Sequence, residues 1–279
     1  MEISKRILIR SCFALMLLCT LCGVNPQSVQ AQGGVSSLGT DFWMGFMPDY
    51  TFPADYVRVF ICSGTANHVV IQLYGGGNGG PIQSLTVDLP PNTARTITLD
   101  VAKAETRVTE TPAYRAVHVT ATNPLACYGF SNQYATSDGF LALPTPALGN
   151  EYYTANFNDD YYYSPSEPLA GEFLIVAPFD HTNVTITTKN DTRIDPLGNI
   201  TGHSQGIPWT VELMKGQTYL VQSIGRDKGA DITGSHVTSD KPIGLITGHQ
   251  RCAIPNDDPN LTSKDLLAEM IPPLDKWGT

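Results

Sequence analysis

The residue types best suited to chemistry lie close together near the end of the chain. His249 and Cys252 place an imidazole and a thiol three residues apart. Such a pair allows a Cys/His nucleophile or two ligands of a zinc ion. No second Cys-x-x-Cys or histidine pair completes a zinc set. We interpret the stretch as a structural turn whose cysteine packs or forms a bridge, and keep a Cys/His hydrolase as a distant alternative.

Two acidic loops are further candidates. Asp257 and Asp258 are weak candidate calcium ligands, since calcium takes carboxylate oxygens, but their spacing is not that of an EF-hand. We therefore predict no metal and no cofactor. A second acidic pair precedes three tyrosines, which are favoured contact residues at binding surfaces. The sequence predicts ligand contacts there, with a half-buried edge strand as the alternative: Asp159, Asp160, Tyr161, Tyr162 and Tyr163.

The amino terminus predicts export from the cell. Residues 1–31 combine a basic start, a short apolar run over 13–21 and small residues at Val29 and Ala31, which is typical of a cleaved signal peptide. Residues 32–38 form a Gly/Ser-rich linker. No later apolar run approaches about 18 residues, so we predict no transmembrane span in the mature chain.

The charge balance excludes some partners. The chain has 17 basic and 26 acidic side chains, a net charge of −9, and loss of the signal peptide makes it more negative. Nucleic acid and anionic membranes both require a basic surface, so neither is an expected partner.

The mature chain retains Cys62, Cys127 and Cys252. In an oxidising compartment an odd number leaves at least one unpaired. Cys62 and Cys127 both lie in strand-like runs of the first half, so we predict that they form a disulfide. The alternative is three buried thiols.

The elements that position these residues are short strands in two similar halves. Residues 119–129 resemble residues 237–247, and runs of alternating or β-branched residues recur in the same order. Helical periodicity is confined to 99–106 and 263–270. We predict an all-β fold of two tandem β-sandwich-like units, 39–150 and 151–279, produced by an internal duplication. The predicted core includes Val57, Val59, Ile61, Val70, Phe173, Ile175, Val184 and Val221.

A set of motif residues follows in order along the mature chain: Trp43, Gly248, His249, Cys252, Pro255 and Trp277. These ordered motifs resemble the N-terminal domain of the IgG-Fc-binding protein family. The resemblance implies a mucus- or surface-associated binding or adhesion module rather than an enzyme. The family often has another cysteine where this chain has Ser263–Asp265, so the usual partner of Cys252 is missing.

These patterns favour a non-catalytic secreted or cell-surface module that recognises protein or glycan ligands outside the cell. The alternative is a structural spacer in a larger surface protein. The aromatic motif at Trp277 echoes Phe42-Trp43 and Tyr152-Tyr153, so we expect the chain to be part of a longer protein.

Overall fold

Two antiparallel sheets, each built around one long strand, make up most of the molecule. The structure is a computed structural model and describes residues 36–50, 53–76, 79–161, 168–193, 202–224, 230–255 and 263–277. Almost all of the ordered elements in these residues are strands, which confirms the predicted all-β class.

The first sheet is organised by a strand of 17 residues that pairs with four others. Its order is β4-β3-β7-β2-β5, and β1 and β8 also pair with β7. A short helix, α1 (Val101–Ala104), follows β5, and Asp100 caps it by accepting a hydrogen bond from the Ala102 N–H. The strands of the first half are β1 (Gly39–Met44), β2 (Tyr56–Ser63), β3 (Asn67–Gly75), β4 (Gly80–Leu89), β5 (Thr93–Leu99), β6 (Ala113–Tyr114), β7 (Val117–Gln133) and β8 (Thr136–Leu141).

The second sheet repeats this layout around another strand of 17 residues. Its order is β14-β13-β16-β12-β15, and β9 and β17 also pair with β16. One addition comes from the first half, because β6 pairs with the outer edge of β15. Its strands are β9 (Gly149–Tyr153), β12 (Gly171–Val176), β13 (Thr182–Thr187), β14 (Trp209–Leu213), β15 (Gln217–Gln222), β16 (His236–Cys252) and β17 (Asp265–Met270). Two short strands, β10 (Asp160–Tyr161) and β11 (Pro168–Leu169), pair with each other in a separate two-stranded sheet.

The two sheets share buried surface. One core lies inside the first sheet and extends to residues of the second, including Leu174, Val176 and Ile246. The other core lies on the opposite face of the second sheet and contains Phe173, Ile175 and Val184 among others. The second sheet is therefore buried on both faces where β12 and β16 pair, and residues Ser36–Thr279 form one compact unit.

Two details of the predicted core and helices are wrong. Val69, not Val70, points inward in β3, because Val69, Ile71 and Leu73 share the buried face. The segment predicted as helical over 263–270 contains β17, which pairs with β16. The other predicted core residues are fully buried. In the described residues, no helix is long and apolar enough to cross a membrane.

Candidate functional site

His249 lies near the end of β16 and is completely buried. Its Nε2 lies 3.1 Å from the carbonyl oxygen of Asn158, and its Nδ1 accepts a hydrogen bond from the Arg251 N–H at 3.0 Å. Burial lowers the pKa of His249 to about 4. The ring is therefore neutral at pH 7 with Nε2 protonated, and both of its nitrogens hold the backbone.

The Cys252 thiol is also poorly suited to chemistry. The residue is 4% exposed, and burial, followed by the nearby Asp160 carboxylate, raises the pKa of its thiol to about 12. A reactive cysteine requires thiolate and an electropositive surrounding. The arrangement speaks against the hydrolase alternative, since the thiol stays protonated and His249 is occupied by structural bonds.

The acidic pair predicted to contact a ligand is instead buried. Asp159 accepts hydrogen bonds from the Gly171 N–H at 3.0 Å and from the Ser223 hydroxyl. Asp160 forms an ion pair with Lys264 at 2.6 Å. These carboxylates anchor loops to the second sheet, and both are buried, so neither offers an exposed surface for the predicted ligand contact. Tyr161 belongs to β10, and Tyr162 and Tyr163 lie outside the described residues.

The predicted Cys62–Cys127 disulfide is not present, and both residues are free thiols. Cys62 lies opposite Ala126, and Cys127 lies opposite its neighbour Ile61. Because side chains alternate along a strand, this register places the two thiols on opposite faces of the sheet. Cys127 is buried in the core, whereas Cys62 is half-buried on the outer face.

Most of the family-motif residues have structural roles. Trp43 is buried and stacks on His118 with ring centres 4.0 Å apart. A Cβ at Gly248 would lie 1.7 Å from the Leu267 carbonyl oxygen, so only glycine fits where β16 meets β17. Pro255 is exposed and follows a cis peptide bond. The weak calcium candidates Asp257 and Asp258 lie outside the described residues.

A buried acidic cluster, which we define as Asp49, Glu105 and Glu172, was not found by sequence reasoning. All three are less than 5% exposed. Burial raises the pKa of Asp49 to about 7, and the Glu105 carboxylate adds to the rise, while Thr136 and Arg251 oppose it. Burial also raises the pKa of Glu172 well above its usual range, and Glu105 acts in the same direction.

Buried amides and a guanidinium support one member of this cluster, Glu172. Gln222 donates to the Glu172 carboxylate at 2.7 Å, and Arg193 donates to Gln222 at 3.1 Å. Gln250 continues the network by accepting from the Ala170 N–H at 3.1 Å. No set of at least three His, Cys, Asp or Glu side chains suited to a metal occurs in the described ranges. The network supplies hydrogen bonds to polar groups buried in the second sheet, among them one oxygen of Glu172.

An exposed aromatic patch offers a surface for recognition. We define it as Tyr153, His236 and Trp277. Tyr153 and Trp277 are 38% and 48% exposed, with ring centres 6.4 Å apart. His236 lies opposite Tyr153 in the neighbouring strand and stacks on it at 4.7 Å. Because Tyr152 is buried between Glu151 and Tyr153, strand alternation points Glu151 and Tyr153 to the same outer face.

A groove of about 360 Å³ adjoins this patch. Strand β9 forms one wall and a 3-10 turn at Leu274–Lys276 forms the other. The Trp277 indole is oriented by donating from Nε1 to the Pro272 carbonyl oxygen at 3.1 Å. The groove is lined by Leu148, Gly149, Asn150, Glu151, Leu274 and Asp275.

A larger cleft of about 700 Å³ lies beside α1. Its charged lining residues are largely balanced, since Arg107 pairs with Glu105 at 3.1 Å and Asp100 pairs with Lys103 at 2.9 Å. The aromatic patch is the stronger candidate, because large exposed aromatic side chains are enriched where proteins bind partners.

Comparisons with known proteins identify the family of this chain. The family model described as IgGFc binding protein matches residues 138–279, half of the chain, and includes β9, β16 and Trp277. The chain belongs to the IgGFc binding protein family, which confirms the resemblance seen in the sequence and places it in a family of binding proteins. No curated protein matches it.

One solved structure, a protein from Parabacteroides distasonis described as secreted, is 12% identical. The match covers 76% of this chain and 83% of that chain, with a TM-score of 0.20. A likeness of this size carries no argument about fold or function.

Proposed function

We propose that this protein is a non-catalytic, secreted or cell-surface module that binds an extracellular protein or glycan through the aromatic patch. The exposed pair Tyr153 and Trp277 beside the groove carries the proposal. Tyrosine and tryptophan provide large, rigid and amphipathic contact area at a low cost in conformational entropy. Family membership and the predicted signal peptide support binding outside the cell.

A binding array tests this function. The secreted protein, labelled at its amino terminus, is applied to immobilised extracellular proteins and glycans, in parallel with Trp277→Ala and Tyr153→Ala. We expect at least one ligand whose signal is lost in both variants. The matched control is Tyr134→Ala, since Tyr134 is 82% exposed but lies in the turn between β7 and β8.

Two results would count against the proposal. One is a complete absence of ligands for the folded wild-type protein, which would favour the spacer role. The other is a ligand whose binding is unchanged by both patch variants, which would place recognition elsewhere. Circular dichroism of each variant ensures that a lost signal does not reflect a lost fold.

The export step has its own test. Amino-terminal sequencing of the secreted protein should begin at Gln32, directly after the small residues of the predicted cleavage site. Retention of residues 1–31 in the secreted product would refute the signal peptide.

A further inference from the structure

Two carboxylates line the groove beside the aromatic patch. The Glu151 side chain is 47% exposed and lies 2.9 Å from Nε2 of His236, the ring that stacks on Tyr153. Asp275 is 62% exposed on the opposite wall of the groove. A ligand that contacts the patch and enters the groove would therefore meet two acidic side chains.

The groove favours a cation over an anion. None of its described lining residues is lysine or arginine. Lys276, in the turn that forms one wall, is paired with its neighbour Asp275 at 2.7 Å, and such exposed pairs are weak and exchange readily. The whole chain carries a net charge of −9, which attracts basic partners and repels acidic ones.

Aromatic faces bind cations by cation–π attraction, most strongly for tryptophan, and arginine is the commonest partner. A guanidinium also bonds a carboxylate through two parallel N–H groups, so one arginine satisfies both an aromatic face and Glu151. The molecule uses this contact internally, since the Arg58 guanidinium lies 3.8 Å from the centre of the Tyr56 ring.

We infer that the patch recognises an arginine side chain presented by a basic protein partner. This inference rests on the proposed function, because it names the partner class of the same site. The guanidinium lies against Trp277 or Tyr153 and bonds Glu151, with Asp275 closing the other side. A neutral glycan would use the aromatic faces but would gain little from the two carboxylates.

The test uses a peptide of six Gly-Arg repeats and the same peptide with citrulline, the uncharged isostere of arginine, in every arginine position. Binding to the full secreted protein is followed by calorimetry and by the three tryptophan indole N–H signals in NMR. We expect the arginine peptide to shift the Trp277 signal, and the citrulline peptide to bind at least about fivefold more weakly.

Variants separate local recognition from general charge attraction. Trp277→Ala and Glu151→Gln should each weaken the arginine peptide by about threefold to tenfold. The matched control is Glu212→Gln, because Glu212 also pairs with a histidine, His181 at 2.6 Å, but lies on β14 and outside the patch. The Glu212→Gln variant should bind the arginine peptide with an affinity within a factor of two of wild type.

Equal binding of the two peptides would overturn the inference, as would an equal loss in Glu151→Gln and Glu212→Gln. The array described above keeps the two proposals distinct. A patch-dependent ligand without basic character would preserve the proposed function and refute the arginine site. No patch-dependent ligand of any kind would refute both.

Discussion

The two halves of the molecule share one topology but bury their equivalent strands differently. In β2 every second residue faces the core and the others face outward, whereas all six residues of β12 are buried. The same contrast holds for the long strands, because Ile243–Gln250 of β16 is continuously buried and β7 alternates. The two halves therefore form sheets of the same topology, and the second sheet is the central layer, which is buried on both faces where β12 and β16 pair.

The position of a sheet determines which residues it tolerates. The outer face of β2 carries Arg58 and the half-exposed Phe60, and both reach solvent. Neither face of the equivalent strand β12 reaches solvent, so its polar residues need hydrogen-bond partners inside the protein. This explains why Glu172, Gln222 and Gln250 form a connected network in the second half.

The largest expected effect breaks the central layer. Leu174 of β12 pairs with Ile246 of β16, and Phe60 of β2 pairs with Tyr128 of β7. Leu174 and Phe60 therefore occupy equivalent positions in the two sheets. Leu174→Ala should lower the free energy of unfolding by about 3 kcal/mol, since it leaves a cavity in the core that the two sheets share. Phe60→Ala should cost about 1 kcal/mol, because Phe60 is only half-buried. Urea unfolding measures both, and equal losses would refute the central-layer description.

The next effect concerns the pH dependence of stability, and it tests the buried acidic cluster. Burial raises the pKa of Asp49 to about 7. A raised folded-state pKa gives stability that is complete below the unfolded pKa, near ~4, and is lost as the pH rises through about 7. Glu105 and Glu172 have pKa values shifted in the same direction. Wild type should therefore be less stable at pH 8 than at pH 5.5.

Asp49→Asn should remove part of this dependence, so that its gain in stability over wild type is about 1–2 kcal/mol larger at pH 8 than at pH 5.5. Asp240→Asn is the control, since hydrogen bonds from Asn183 lower the pKa of exposed Asp240 and its contribution is constant above pH 5. Thermal unfolding across this pH range measures both slopes. An Asp49→Asn slope equal to that of wild type would contradict the assignment.

The smallest effect sharpens the contrast at a single equivalent pair. Cys62 occupies the outer-face position that Val176 fills in the second sheet, where Val176 is fully buried. In the native protein iodoacetamide should modify Cys62 first, and Cys127 and Cys252 only after unfolding, because burial raises the pKa of both of those thiols. Mass spectrometry of the labelled protein locates the adducts. Protection of both Cys62 and Cys127 with a mass two hydrogens lower would restore the disulfide.

Local patterns predicted the strands well, because period-two alternation is visible without tertiary information. Val57, Val59 and Ile61 illustrate this, as does the apolar run around Phe173. In β3 the buried face follows the alternation of Val69, Ile71 and Leu73 with polar His68 and Gln72, and the prediction of Val70 disregarded this pattern. The apolar run in 263–270 is compatible with a helix or a strand, and pairing with β16 decides that it is a strand.

The candidate site was harder to predict, because it depends on contacts between distant residues. In the sequence Asp159 resembles a solvated acid, but in the fold it accepts a hydrogen bond from Ser223, which lies at the end of another strand. The predicted disulfide is wrong because the strand register places Cys127 opposite Ile61 instead of Cys62. No local pattern encodes this register. Tyr153 and Trp277 were visible as motif residues, but their proximity follows only from the packing of β9 against the turn at Leu274–Lys276.

The pairing of β6 with β15 shows that the family match and the second sheet do not begin at the same residue. The family match begins at residue 138, whereas β6 ends at Tyr114 and completes the edge of the second sheet. A polypeptide cut to the matched region would lose that edge partner and expose the face of Leu174, Val176 and Ile246 that the first half covers. The unpaired backbone and apolar face would promote aggregation. Sequence similarity defines the region that matches the family, but a fragment that stays in solution must also include the strands of the first half that cover the second sheet.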